Sequence, residues 1–119
     1  MSYNRDLDWI EDIIRAIRFL LEYADTVDEG HFSVDHAIQN VILREITVIG
    51  EAARRLSDDF VLAHPEVPVP EMISMRNALV HDYDDIRLPW VWSTVINDLP
   101  GLLEILELQF PQQPSEEAL

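Results

Sequence analysis

The chain has 119 residues, 48% of them hydrophobic, with 23 acidic side chains against 8 basic ones and a formal charge of −15. That length suits a single domain, and the apolar share is well above that of chains too polar to offset the entropy of ordering. The charge excludes a broad basic footprint for duplex DNA or an anionic membrane, so any nucleic-acid contact must be local or assembled by oligomerisation.

All eight basic residues are arginine and lysine is absent. Each cation can therefore make a bidentate contact to a phosphate or a carboxylate. Cysteine is absent as well, which removes disulfides, thiolate catalysis and thiolate-bound zinc. The opening residues do not read as a secretory signal, and no apolar run approaches the ~20 residues of a membrane span. A cytoplasmic protein without membrane contact is expected.

In chain order, Ile10, Ile13, Ile14, Ile17, Leu20, Leu21 and Ala24 recur at steps of three and four, the stripe of an amphipathic helix. This first helix is predicted from about Asp6 to Thr26. Asp6, Asp8, Glu11 and Asp12 then fall in its opening turns, where the helix dipole favours negative charge. A loop through Asp28, Glu29 and Gly30 follows, and Ser33 is placed to cap a second helix reaching about Leu56. Its stripe runs through Ile38, Ile42, Ile46 or Ile49, Ala53 and Leu56, with Val41, Val48 and Ala52 beside it. Gly50 lies inside it at a cost of roughly 1 kcal/mol relative to alanine, which points to close packing against another backbone.

Pro65, Pro68 and Pro70 mark a connecting loop, because each proline drives its predecessor out of the helical region. A third helix is predicted from about Pro70 to His81. A link through Tyr83, Asp84 and Asp85 leads to a fourth helix opened by Pro89, with Val91, Val95, Leu99, Leu102, Leu103 and Leu106 on its apolar side. Pro100 should kink that helix. The reading is an all-α fold, an up-and-down bundle of four to five helices, with residues 1–110 as one domain and 111–119 as a flexible tail. Apolar residues off the main stripes, together with Trp9, Phe19, Trp90 and Trp92, suggest a two-fold homodimer.

The stretch that carries chemistry is Met75-Arg76-Asn77-Ala78-Leu79-Val80-His81-Asp82-Tyr83. It gathers a fixed cation, an amide, an imidazole and a phenol at one helix end. A phosphodiester-cleaving site without metal needs a cation for the phosphate and a group that moves a proton near neutral pH, and Arg76 and His81 are of those types. Asn77 and His81 share a helix face, whereas Arg76 and His81 point roughly 140° apart at 100° per residue. One rigid helix does not aim both at one phosphate. Either the helix loosens before His81 or a second subunit completes the site.

With these residues, the chain resembles the HepT-like toxins of the HEPN superfamily, whose motif is Arg-x4-His-x-Tyr with a polar residue after the arginine. Arg76, Asn77, His81 and Tyr83 fit it. Val48-Ile49-Gly50-Glu51-Ala52-Ala53-Arg54-Arg55-Leu56-Ser57, His64-Pro65-Glu66-Val67-Pro68 and Asp98-Leu99-Pro100 resemble further segments of that family, in order. The resemblance implies a homodimeric bundle whose paired motifs form a metal-independent endoribonuclease site without a cofactor. By the same resemblance Arg76 binds phosphate, His81 is the general acid or base, and Asn77 orients the reacting groups. Tyr83 matches the tyrosine that an MNT-type nucleotidyltransferase antitoxin modifies with AMP. That partner and an RNA substrate are implied with it.

Other readings stay open from the residues alone. Arg76 could pair with Asp82 or Asp85, His81 could serve the helix dipole, and Glu51, Arg54 and Arg55 could serve the cleft but read more readily as a solvated face of ion pairs. The chain could then be a non-catalytic docking module or an AMP-acceptor subunit for a nucleotidyltransferase. His31, Asp35 and His36 lack the shared face of a metal site, so no metal is expected. Met72 and Met75 are read as core filler, and Trp90 and Trp92 as buried in the bundle or a dimer interface.

Overall fold

The computed structural model describes residues 2–81 and 86–111. Among these every regular element is helical: α1 (Ser2–Thr26), α2 (Glu29–Val34), α3 (His36–Arg54), α4 (Asp58–Ala63), α5 (Val69–His81), α6 (Leu88–Ser93), a π-helical turn (Thr94–Asp98) and α7 (Leu99–Gln109). No helix is long and apolar enough to cross a membrane.

The three long predicted stripes form the core. Ile10, Ile13, Ile14, Ile17 and Leu20 of α1 are all 1% exposed or less, and they pack with Ile42, Ile46, Ile49 and Ala53 of α3. Helix α3 is central, lying against both α1 and α5, while α7 covers another side of α1. The extensive contact of α5 is with α3 alone. An exposed ion pair between Arg18 and Glu107 adds a tie between α1 and α7.

Two short helices stand where loops are predicted. Asp28 caps α2 by accepting from the His31 N–H at 2.8 Å, and Phe32 from this single turn is fully buried against the core. The cap of α3 is Asp35, which accepts from the N–H groups of Ala37 and Ile38, and not Ser33, whose hydroxyl donates to the Gly30 carbonyl. Ser33 is already inside α2, so its side chain cannot serve the next helix. Helix α4 is capped by Ser57 and buries Phe60.

The acidic start of the first helix also differs from expectation. Because α1 begins at Ser2, Asp6 lies beyond its first turn, 3% exposed, and accepts from the Ser57 N–H at 2.8 Å and the Ser57 hydroxyl at 2.6 Å. Ser57 Oγ in turn accepts from the Phe60 N–H. One buried carboxylate thus locks the α3–α4 corner onto α1. Asp6→Ala leaves the Ser57 donors without their acceptor, and hydrogen bonds to charged groups contribute about 1.5–3 kcal/mol each way such pairs are measured. A loss of stability in that range is expected in urea unfolding, with Ser57→Ala weaker because the backbone N–H at position 57 still donates to Asp6.

The fourth predicted helix is a single rod formed by α6, the π turn and α7. Pro100 has no N–H to offer the carbonyl four residues back and crowds it. The backbone answers by lengthening the turn before it: the Leu99 N–H bonds to the Thr94 carbonyl, five residues back. Val91, Val95, Leu99 and Leu106 remain buried along this rod. Trp92 stacks on Phe32 at 5.5 Å, whereas Trp90 is 46% exposed and so departs from the expectation of burial within the bundle. Between α5 and the rod runs an apolar cleft of about 220 Å³ with Ile46, Met72, Met75, Trp90 and Leu102 among its walls.

Candidate active site

The site starts at Gly50. A methyl group built there would lie 2.1 Å from Arg76 Cβ, 2.8 Å from Arg76 Cγ and 2.9 Å from the Met72 carbonyl oxygen. The missing side chain therefore lets α5 seat on α3, with the stem of Arg76 in the space a Cβ would fill. This explains the glycine inside an otherwise regular helix.

Arg76 is held from both helices. Its Nη1 donates to Asn77 Oδ1 at 2.9 Å, and its Nη2 lies 3.3 Å from Glu51 Oε2. Its Nε is buried and has no hydrogen-bond partner among the described residues. An unmet buried donor costs about 1–3 kcal/mol, and a ligand oxygen reaching the guanidinium would remove that penalty. Asp82 and Asp85, the carboxylates considered for Arg76 from sequence, lie outside the described residues, as does Tyr83.

Glu51 makes the local ion pairs expected from sequence and also joins the site through Arg76, the alternative that sequence placed second. Besides Arg76 it receives Arg54 Nη2 at 2.6 Å and Arg55 Nη2 at 3.4 Å, both on Oε1. The hydrogen bond from Arg54, joined by the charges of Arg54, Arg76 and Arg55, holds its carboxyl below the ordinary glutamate range despite the cost of partial burial. A lowered carboxyl favours the folded state above its unfolded value and loses that contribution as pH falls through the folded one. Glu51 is therefore a carboxylate at neutral pH.

His81 is exposed and is the final residue of α5 among those described. The helix is regular from Val69 to His81, so it does not loosen between Arg76 and His81. Within one chain the two side chains leave the helix roughly 140° apart. Arg76 is hydrogen-bonded to Asn77, and Asn77, four residues before His81, shares a face of α5 with it.

Other residues singled out by sequence serve packing. His64 lies between Phe60 and Phe110, with ring centroids at 4.5 and 5.0 Å, and its Nδ1 is 3.1 Å from Glu66. Met72 is buried in the core and Met75 lines the cleft beside it. His31 sits on Asp28 at 2.9 Å and Asp35 is engaged as a cap. Among the described residues there is no group of three histidines or carboxylates that could hold a metal ion.

Fold and site together define an all-α bundle with an Arg-x4-His motif on the helix that packs against the central α3. Residues 13–108 match the family described as "Ribonuclease HepT-like", and the chain belongs to this HepT-like family of the HEPN superfamily. Among its relatives, a protein of Thermococcus cleftensis named "Probable ribonuclease HepT" is 36% identical over 95 residues, covering 80% of this chain and 86% of the relative. A Methanocaldococcus jannaschii protein named "Putative RNase" is 30% identical over 100 residues, covering 84% and 92%. A protein of Caldanaerobacter subterraneus with the same style of name is 29% identical over 94 residues, covering 79% and 84%. No solved structure is significantly similar to the chain.

Proposed function

We propose that this chain is a metal-independent endoribonuclease, the toxin of a toxin–antitoxin pair, acting as a homodimer through Arg76 and His81. The observation that carries the reading is the seating of Arg76: a partly exposed guanidinium fixed by Gly50, Asn77 and Glu51, whose buried Nε has no partner among the described residues. Membership in a family described as ribonuclease supports it.

In this reading Arg76 holds a non-bridging phosphate oxygen and stabilises the charge that grows there. A base takes the proton of the 2′-hydroxyl, whose oxygen attacks phosphorus. The bond from phosphorus to the 5′ oxygen breaks, and that oxygen leaves with a proton from an acid. His81 fills one of these proton-moving roles and Asn77 keeps the guanidinium oriented. The regular course of α5 argues that the partner's copy of the motif contributes the second group, and among the described residues α5 packs extensively on α3 alone.

The acidic surface suits a basic protein partner. That partner is an MNT-type nucleotidyltransferase, which silences the site by transferring AMP to Tyr83. The adenylate adds bulk and negative charge beside the cation that RNA requires.

The test is cleavage of RNA by purified protein in EDTA. Arg76→Ala and His81→Ala are each expected to lower the rate by about 10²-fold or more, the scale of losing one charge-stabilising or proton-transferring group. In the same assay, prior incubation with the nucleotidyltransferase and ATP should stop cleavage and add the mass of AMP, and Tyr83→Phe should prevent both. Undiminished cleavage by the Arg76 and His81 variants refutes the assignment.

A further inference from the structure

Three of the eight arginines converge on one carboxylate, with Arg54 and Arg55 from the end of α3 and Arg76 from α5 all within 3.4 Å of Glu51. One glutamate balances one guanidinium, so the cluster keeps a net positive charge on a chain whose overall charge is −15. Sharing a single carboxylate also leaves most of the N–H donors of Arg54 and Arg55 facing solvent, since both are about half exposed. Arg55 lies over the Trp9 ring at 5.2 Å. From there a shallow groove of about 430 Å³ runs along α3, between Trp9 on one wall and Thr47, Val48 and Glu51 on the other. Asp12 at its edge faces Arg15 at 3.7 Å.

We propose that Arg54 and Arg55, with Trp9 beside them, form a subsite for the nucleotide next to the scissile linkage at Arg76: the two guanidiniums take its phosphate and the indole takes the face of its base. The proposal rests on the ribonuclease reading, and it makes the substrate a single strand several nucleotides long. Forked guanidiniums match phosphate oxygens, and an aromatic ring offers a base of any identity a stacking surface. Acidic surface elsewhere repels the strand, which confines its path to this cluster. Glu51 spaces the cations and keeps all three from collapsing onto one phosphate.

The experiment is fluorescence anisotropy with a labelled 2′-O-methyl hexaribonucleotide, which cannot be cut because its 2′ oxygen is blocked, read across a series of salt concentrations. Arg54→Gln with Arg55→Gln is expected to weaken binding about tenfold and to make the salt dependence shallower by about 0.7, the value of one single-strand phosphate contact. Arg54→Lys with Arg55→Lys should restore the salt slope and part of the affinity, because charge returns without the fork. Arg18→Gln, in the pair with Glu107, removes one positive charge outside the groove and should leave the affinity as it is. Trp9→Leu should weaken binding without changing the salt slope.

Binding by the double glutamine variant equal to wild type, or an equal loss in Arg18→Gln, overturns the subsite. The assay involves no cleavage, so the two readings fail separately. A wild-type protein that binds in this manner but cuts no RNA refutes the activity and leaves the subsite. A protein that cuts RNA and binds equally well without Arg54 and Arg55 does the reverse.

Discussion

Gly50→Ala is expected to cost about 2 kcal/mol of stability, although alanine is the better helix former by about 1 kcal/mol in the abstract. The new methyl would lie 2.1 Å from Arg76 Cβ and 2.9 Å from the Met72 carbonyl oxygen. Neither atom belongs to the free end of a side chain, so no rotamer change relieves the overlap and α5 itself must move off α3. Overpacking of this kind costs about 1–3 kcal/mol, and the absence of a flexible neighbour puts this case near or beyond the top of that range. For a domain of this size the net loss corresponds to a fall in Tm of about 8 °C. Because the displaced helix carries Arg76, RNA cleavage should fall further than stability does, measured well below the melting point. An alanine variant as stable as wild type would show that the two helices do not depend on this contact.

The second large effect concerns how a complete site is assembled. If Arg76 of one protomer works with His81 of its partner, Arg76→Ala and His81→Ala proteins are each inactive alone and active when mixed. In a random mixture about half of the dimers are mixed, and each has one site with both native groups and one with neither, so about a quarter of wild-type activity returns. The expected measurement is cleavage by the two variants after co-refolding, against each refolded alone. Recovery to roughly that level means the groups come from different chains; no recovery means that one chain must supply both. The regular helix through His81 favours recovery, since a single α5 sends the two side chains in different directions.

The fold was legible wherever apolar spacing persisted for several turns. Stripes through Ile10 to Ala24 and Ile38 to Leu56 are long enough for only one helical phase to bury them, and they correspond to α1 and α3. Helix α5 could be read within a residue at its start because prolines bound it. The short helices could not be read in the same way: six residues hold too little periodicity to distinguish a helix from a loop. A local signal was nevertheless present for α4, in Ser57 followed by Asp58, Asp59 and buried Phe60. At α3 two cap-type residues, Ser33 and Asp35, competed, and only the existence of α2 decides between them. Within the site, Arg76, Asn77 and His81 stood out by residue type and spacing. Glu51 did not, because its ion pairs with Arg54 and Arg55 are local, whereas its contact with Arg76 joins two helices that sequence spacing cannot connect.

The π turn before Pro100 changes how a long helix keeps time with its neighbours. In a strict α-helix, steps of four residues overshoot a full turn by about 40° each, so Val91, Val95 and Leu99 would spiral away from the core. The wider turn winds more slowly and cancels part of that overshoot, and all three residues stay buried. Trp90, Thr94, Asp98 and Leu102, one position earlier or three later at each step, are carried along in the same way and line one wall of the cleft facing α5. Pro100 therefore acts as a phase corrector: by forbidding one hydrogen bond it aligns two parallel rows of side chains, one for the core and one for the cleft.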